Sequence, residues 1–365
     1  IYSPDGEKIL SASSDQTIKE WDVGTGQCVK TLTGHTDGVN SAVYSPDGEK
    51  ILSASRDHTI KEWDAGTGQC VKTLPGYTSV FTSAVYSPDG EKILSASRDQ
   101  TIKEWDVETG ECMKTLAGHT CYVYSAVYSP DGKKILSASG DNTIKEWDAG
   151  TGECVKTLTG HTDGVNSAVY SPDGKKILSA SRDPTIKEWN TGIGECVKTM
   201  AGHENYVNSA VYSPDGKKIL SASWDPTIKE WNAGTRECVK TLAGHTDMVT
   251  SAVYSLDGKK ILSSDDQTIK EWDAATGKCL KTHQEKDNPQ IPGYPPKEKI
   301  VELKTAWNII YVPDASAKGK EWKLFNIPGL FIQGCSFQNL EKGSEWSEEG
   351  IKILRQYHAS VSVDK

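Results

Sequence analysis

No run of apolar residues in this chain approaches the roughly 18 that a membrane-spanning helix needs, so no such helix is expected. Positive charge is not in excess either. The formal net charge is −9 over 365 residues, with lysines and acids interleaved, and nothing resembles the basic stripe that displaces counterions from nucleic acid. There is no glycine-rich phosphate-binding loop, so any NTPase would have to lie upstream. No acid, base or nucleophile is unique to one setting that would retune it for catalysis. An initiator methionine is also missing: Ile1-Tyr2-Ser3-Pro4 matches the interior of a later stretch, Val43-Tyr44-Ser45-Pro46, and reads as a trimmed beginning with any targeting signal out of view.

What is present is a beat. Tryptophan recurs at positions 21, 63, 105, 147, 189, 231 and 272, in five steps of 42 residues and a last step of 41. A fixed period of this length means an array of one structural unit, each copy sharing its core with its neighbours. Seven of the nine cysteines (Cys28, Cys70, Cys112, Cys154, Cys196, Cys238, Cys279) fall at the same place in successive copies. Equivalent places in adjacent units lie beyond the ~7 Å Cα limit of a disulfide, so buried or half-buried free thiols are expected, in a reducing compartment such as the cytoplasm.

Each copy carries four short β-runs separated by turn signals. In one copy these are Val165 to Tyr170, Lys176 to Ser181, Thr185 to Trp189, and Glu195 to Thr199. Between the first two lies Ser171-Pro172-Asp173-Gly174, where proline sets φ and glycine relieves crowding. Strands of this length and spacing leave no room for a crossover helix, which makes the chain all-β. A four-stranded meander cannot bury both faces alone, and copies stacked face to face around an axis leave only short, protected edges. That arrangement is a β-propeller of four-stranded antiparallel blades.

With Gly-His opening most units and Trp-Asp closing them, the chain resembles the WD40 repeat family over residues 1 to about 283. Trp-Asp softens to Trp-Asn at 189–190 and 231–232, and Gly76-Tyr77 replaces one Gly-His. The resemblance implies a buried hydrogen-bond chain through histidine, turn aspartate, strand serine and tryptophan. It carries over to His35, Asp57, Ser53 and Trp63; to His119, Asp141, Ser137 and Trp147; to His161, Asp183, Ser179 and Trp189; and to His203, Asp225, Ser221 and Trp231. At Tyr77 the pattern fails, so that blade is expected to lack a complete chain. Serine, histidine and aspartate together suggest a catalytic triad, but a trio repeated in nearly every blade is a structural device. No catalytic residue, metal site or cofactor is therefore assigned. The Asp-Gly turns present one carboxylate each where calcium takes 6–8 oxygens.

After Thr282 the copies stop. Residues 284–337 read as a worn eighth blade, seven regular plus one degenerate, with a closing strand of the same ring; seven blades and an appended tail is the alternative. Residues 330–337 are expected to pair beside Lys8 to Ser13 as a clasp. The tail, 338–365, offers Ser347 as an N-cap and a short helix with Ile351, Leu354 and His358 on one face.

Because the copies are nearly identical, they act as an internal control that exposes the positions that change. Those gather in two connections, fourth strand to next first strand and second strand to third, which leave the same end of each blade. Arg56, Phe81, Arg98, Tyr122, Tyr124, Arg182, Tyr206, Trp224 and Met248 stand there, side chains of the kind that fill a partner's pockets. Asp265 is read as one of the variable residues preceding a turn aspartate. The opposite turns hardly vary. Drift at tolerant loops is the plain alternative.

The combined reading is a non-enzymatic recognition scaffold, monomeric, offering one variable face to a protein or peptide, with neither nucleic acid nor membrane as partner. Near-identical copies resemble the highly repetitive WD40 proteins of bacteria, where such arrays are modules of larger signalling proteins, some with NACHT-type NTPase domains. The rival readings are a hydrolase-like propeller enzyme with an axial site, since Ser55-Arg56-Asp57-His58-Thr59 faintly resembles a sialidase Asp-box, and an engineered repeat protein, against which the irregular end argues.

Overall fold

The computed structural model describes residues 1–75, 79–265 and 267–283, together with the backbone of four short strands further on. It divides into two compact units, Ile1–Gln284 and Glu285–Lys365.

Every strand of the first unit is antiparallel to its neighbours in sequence. In the fifth blade, strands a to d are Val165–Tyr170, Lys176–Ser181, Thr185–Asn190 and Cys196–Ala201, hydrogen-bonded in that order. Six four-stranded sheets follow this plan; the first blade has Lys8–Ala12, Ile18–Asp22 and Cys28–Leu32 as strands b to d, with Tyr2 bridging Ile9 where strand a lies elsewhere. We number these blades 1 to 7. Two bulges recur: one after the first residue of strand a (between Val165 and Ser167 in blade 5), the other beside the tryptophan of strand c. Bulges add local twist, and both will matter for what faces the axis and the seams.

The sequence of strand b explains the stacking. Its Ile and Leu are adjacent and so point to opposite faces, and both are fully buried because each faces a different neighbouring blade. Leu178, Ala180, Ile186 and Met200 of blade 5 pack with Val207, Ala210, Ile219 and Trp231 of blade 6; Ile177 and Trp189 pack the other way, against Leu136 and Ile144 of blade 4. The apolar core is thus a set of seams, each side chain worth ~1.5–3 kcal/mol on burial.

The last seam decides the blade number. Ile9 and Trp21 of blade 1 pack with Leu262 of blade 7, and Lys281 of blade 7 donates to the carbonyls of Val23 and Gly24 at 2.8 and 2.7 Å. Lys114 of blade 3 makes the equivalent bonds to Ala149 and Gly150 of blade 4, at 2.6 and 2.9 Å. The ring closes from seventh blade to first with the contact that joins other neighbours, which leaves no gap for a further blade. The expectation of eight is corrected to seven.

In the second unit, Tyr311–Pro313 pairs antiparallel with Trp322–Leu324, and Ser336–Leu340 pairs parallel with Ser360–Val363. Of the expected clasp, 330–337, residues 330–335 lie outside the described residues, while Ser336 and Phe337 pair with Ser360 and Val361; the expected helix from Ser347 to His358 also lies outside the described residues, among which no helix occurs. The repeated cysteines also differ from expectation. Each opens the outermost strand, beside the bulge, and is an exposed free thiol rather than a buried one.

Candidate functional site

Beneath the variable face lies the histidine network. In blade 4, Trp147 Nε1 donates to Ser137 Oγ at 2.8 Å, Ser137 Oγ lies 2.8 Å from His119 Nε2, and His119 Nδ1 lies 2.7 Å from Asp141 Oδ2. Burial pushes His119 below its ordinary value, more than its aspartate pulls it up, so the ring is neutral. Direction then follows: the indole N–H donates to serine, the serine O–H to Nε2, and Nδ1–H to the carboxylate. Burial would raise Asp141, yet hydrogen bonds from Thr143, Thr120 and His119 outweigh it and hold its pKa down at about 2. His35, His161 and His203 sit in the same relation to Asp57 and Ser53, Asp183 and Ser179, and Asp225 and Ser221, with Trp63, Trp189 and Trp231 on the serines. These serines are fully buried. A hydroxyl with both roles occupied and no route to substrate anchors a turn; it is not placed as a nucleophile.

A fifth chain was missed. His245 is 2.7 Å from Asp265 Oδ2 and 2.6 Å from Ser263 Oγ, which accepts from Trp272 at 2.8 Å. The one-residue deletion that shortens the last tryptophan step moves Asp265 from the variable position into the turn position, where it is buried. Asp265 is therefore a network residue, not a rim residue. In blade 3, Trp105 still donates to Ser95, and Asp99 accepts from Thr101; Tyr77 lies outside the described residues.

A second network was also missed. The glutamate before each tryptophan is almost completely buried, although its strand reads as ordinary Thr-Ile-Lys-Glu-Trp. Glu104 accepts from Tyr128 of the next blade at 2.9 Å and pairs with Lys92 and Lys114, both at 3.3 Å. A buried carboxylate needs such partners, and here they come from both sides of a seam. At the blade 5–6 seam Arg236 replaces a turn glycine, at φ 65°, and reaches Glu188 with Nε at 3.1 Å and Nη2 at 3.3 Å. The signal was available: a charge on the same strand face as an invariant isoleucine, never varied among seven copies.

The two variable connections do meet. Backbone bonds join them inside each blade, among them Arg98 N to Val80 O, Gly140 N to Tyr122 O, and Trp224 N to Tyr206 O. Tyr122 and Trp224 are 45% and 41% exposed, Arg56 and Arg98 are exposed, and Tyr124, Arg182, Tyr206 and Met248 are half-buried. Tyr206 packs on Trp224 with ring centroids 5.0 Å apart. The Arg98 guanidinium lies 5.7 Å from the centre of the Tyr122 ring, and that of Arg182 4.7 Å from Tyr124.

Phe81 does not belong with them. It takes the place of the valine that opens strand a in other blades, is fully buried, and packs with Leu52, Ile60 and Trp105. The next residue along explains other variable positions: on the bulge, Asn40, Thr82, Asn166 and Asn208 each donate to a carbonyl of the following blade, at Phe81, Val123, Val207 and Val249. These polar residues latch neighbouring blades near the axis. Tyr124 occupies the same bulge position in blade 4.

Among the described residues no cluster of three metal-ligating groups exists, and no helix is long and apolar enough to cross a membrane. Asp47, in one of the Asp-Gly turns, already accepts from Ser45 Oγ and Glu49 N. Seven antiparallel blades joined by buried polar chains, with side-chain variety concentrated at one end, define a repeat propeller.

The family of the WD domain, G-beta repeat (WD40), matches residues 1–22, 26–64, 68–106, 110–148, 152–190, 194–232 and 236–273, well over half the chain, and the chain belongs to it. A shorter likeness is to the nuclear distribution protein PAC1 of the fungus Coccidioides posadasii (strain C735), 59% identical over 34 residues. That stretch is 9% of this chain and 7% of the fungal protein, so it carries the repeat and little else.

Proposed function

We propose that this propeller is a recognition module that binds a protein or peptide across the connections of blades 2 to 6, and that it performs no chemistry of its own. WD40 propellers are typically protein-interaction scaffolds, and this chain has the means: a framework latched at every level, with large side chains displayed on top. The observation that carries the reading is the contrast within single blades. Exposed Trp224 packs on half-buried Tyr206 in the same blade as His203, Asp225 and Trp231, which repeat the buried chain found in four other blades. Exposed aromatics held in place lose little entropy on binding and dominate contact energies. The exposed free thiols suit a reducing compartment, such as the cytoplasm.

The test is a comparison of faces. Peptides selected from a displayed random library against the whole chain should bind Tyr122→Ala and Trp224→Ala variants about tenfold or more weakly, in line with ~1–3 kcal/mol per central aromatic. Substitutions in the opposite turns, such as Thr67→Ala and Thr151→Ala, should leave affinity unchanged. Equal binding by the two aromatic variants would remove the face from consideration.

A further inference from the structure

Arginine is scarce here. Of 41 basic residues only five are arginine, and three of them, Arg56, Arg98 and Arg182, occupy one repeated position on the variable end, where no lysine ever stands. A fourth, Arg236, grips a carboxylate with two nitrogens. The choice of guanidinium over ammonium matters where a planar fork must meet an oxyanion in two places or lie flat on a ring.

Two of the three bracket blade 4. Arg98 comes from blade 3 and lies against Tyr122; Arg182 comes from blade 5 and lies against Tyr124. Blade 4 itself has Gly140 where its neighbours carry the arginines. A Cβ there would come within 3.0 Å of Cys121 Sγ and 3.2 Å of Tyr124 Oη, so the Tyr124 ring folds over the glycine. Blade 4 thus offers two phenols and no cation of its own at this level, with a guanidinium on either side.

Those guanidiniums are oriented but not neutralised. Arg182 Nε donates to Asn166 Oδ1 at 3.2 Å, and Asn166 is itself tied to Val207 O, which leaves the outer nitrogens for something else. Among the described residues no carboxylate forms an ion pair with Arg56, Arg98 or Arg182. The aspartate that follows each is turned away: Asp57 and Asp183 to histidines, Asp99 to Thr101. In a chain of net charge −9, two exposed arginines and the half-buried Arg182 without acidic partners are a local exception that favours an oxyanion. The net negative charge of the chain disfavours a long polyanion, so nucleic acid fits poorly and a short run of carboxylates fits well.

We infer that the top of blades 3 to 5 binds an acidic peptide segment, its carboxylates received by Arg98 and Arg182 across the Tyr122–Tyr124 platform. This rests on the recognition reading above and deepens it to the chemistry of the partner. Arg56, held by Asn40 in the same way, extends the track toward blade 2.

The experiment uses the whole chain and peptides recovered from a displayed random dodecapeptide library. Their binding is measured by fluorescence anisotropy at fixed salt, each peptide being paired with a version in which Asp and Glu become Asn and Gln. The acidic forms should bind about tenfold or more tightly per neutralised contact, as charge-assisted bonds require. Arg98→Gln with Arg182→Gln should abolish that preference while leaving the affinity of the amide forms unchanged. Both side chains are at the surface, and a thermal melt of each variant verifies folding. Recovered peptides without enrichment in Asp and Glu, equal affinity of acidic and amide forms, or tighter binding of a single-stranded oligonucleotide would overturn the inference. If such peptides still lose affinity on Trp224→Ala, only the acidic specificity falls; if they are indifferent to every rim variant, the recognition face falls with it.

Discussion

Lys281 donates to the carbonyl oxygens of Val23 and Gly24, 258 and 257 positions earlier in the chain, at 2.8 and 2.7 Å. The last blade holds the first by the contact that Lys114 makes between blades 3 and 4, so closure belongs to residues 1–284 themselves. Truncation after Gln284 is therefore expected to leave the melting temperature within a few degrees, since ~1 kcal/mol corresponds to ~2–4 °C or less in a unit this large. A fall of ten degrees or more on that truncation would mean that the segment beyond Gln284 closes the ring.

Ser137 accepts from Trp147 and donates to His119, so one hydroxyl keeps two buried groups satisfied. Ser137→Ala should cost about 1–3 kcal/mol through the unpaired partners it leaves behind. Trp147→Ala should cost about 3–5 kcal/mol through the cavity at a seam. Urea unfolding of both variants measures this, and a serine variant as stable as the parent would show that the chain of bonds contributes little.

Acid should act in two steps. Burial lowers His35, His119, His203 and His245 below 6.5, so the unfolded chain binds protons that the folded chain refuses. That part of the stability is fully present above pH 6.5 and is lost as pH falls below it. Asp57, Asp141 and Asp225 are also depressed, from 3.8, so their contribution is present above that value and is lost on further acidification. The urea midpoint should be level from pH 7 to 8, fall from 6.5 toward 5, and fall again below 4. A midpoint that rises between pH 7 and 5 would mean that the histidines are charged in the fold.

Arg236 holds a left-handed φ that its counterparts fill with glycine, and it replaces at its seam the lysine contact made by Lys156 and Lys240 at theirs. Arg236→Gly should be near neutral in stability, because glycine relieves the backbone and Lys198 can take the repeated contact. Arg236→Ala keeps the strained φ, and its Cβ stands where the lysine stem packs over the equivalent glycines (2.7 Å from Lys156 Cδ at Gly194), so Glu188 is left with Lys176 and the variant should cost about 1–3 kcal/mol. Equal losses for the two variants would show that the ion pair outweighs the backbone.

The period, the four-strand unit and the all-β class were legible because the copies repeat every local signal at once: Ser171-Pro172-Asp173-Gly174, the Ile177-Leu178 pair and Trp189 all agree. The number of blades was not, because the length after Thr282 is close to one period while closure depends on where Lys281 reaches. Within the candidate site, copying separated Tyr122, Trp224 and the arginines from the framework, but variation alone does not distinguish display from packing. Phe81 varies because one seam takes a larger core residue, and Asn40 and Asn166 vary because several polar side chains can make the same latch. Asp265 was misplaced because a deletion shifted the register by one. Glu104 and its equivalents escaped notice for the opposite reason: an invariant charge in a strand gives no contrast until its burial is seen.

The most direct test of the central claim, that the variable end of the propeller is its binding surface, is hydrogen–deuterium exchange of the whole chain with and without its tightest selected peptide. Protection is expected in the connections around residues 120–124, 162–166, 204–208 and 224, with the turns around residues 46–48, 66–68, 130–132 and 150–152 at the opposite end unchanged. Protection confined to those opposite turns, with the variable connections unaffected, would contradict the account.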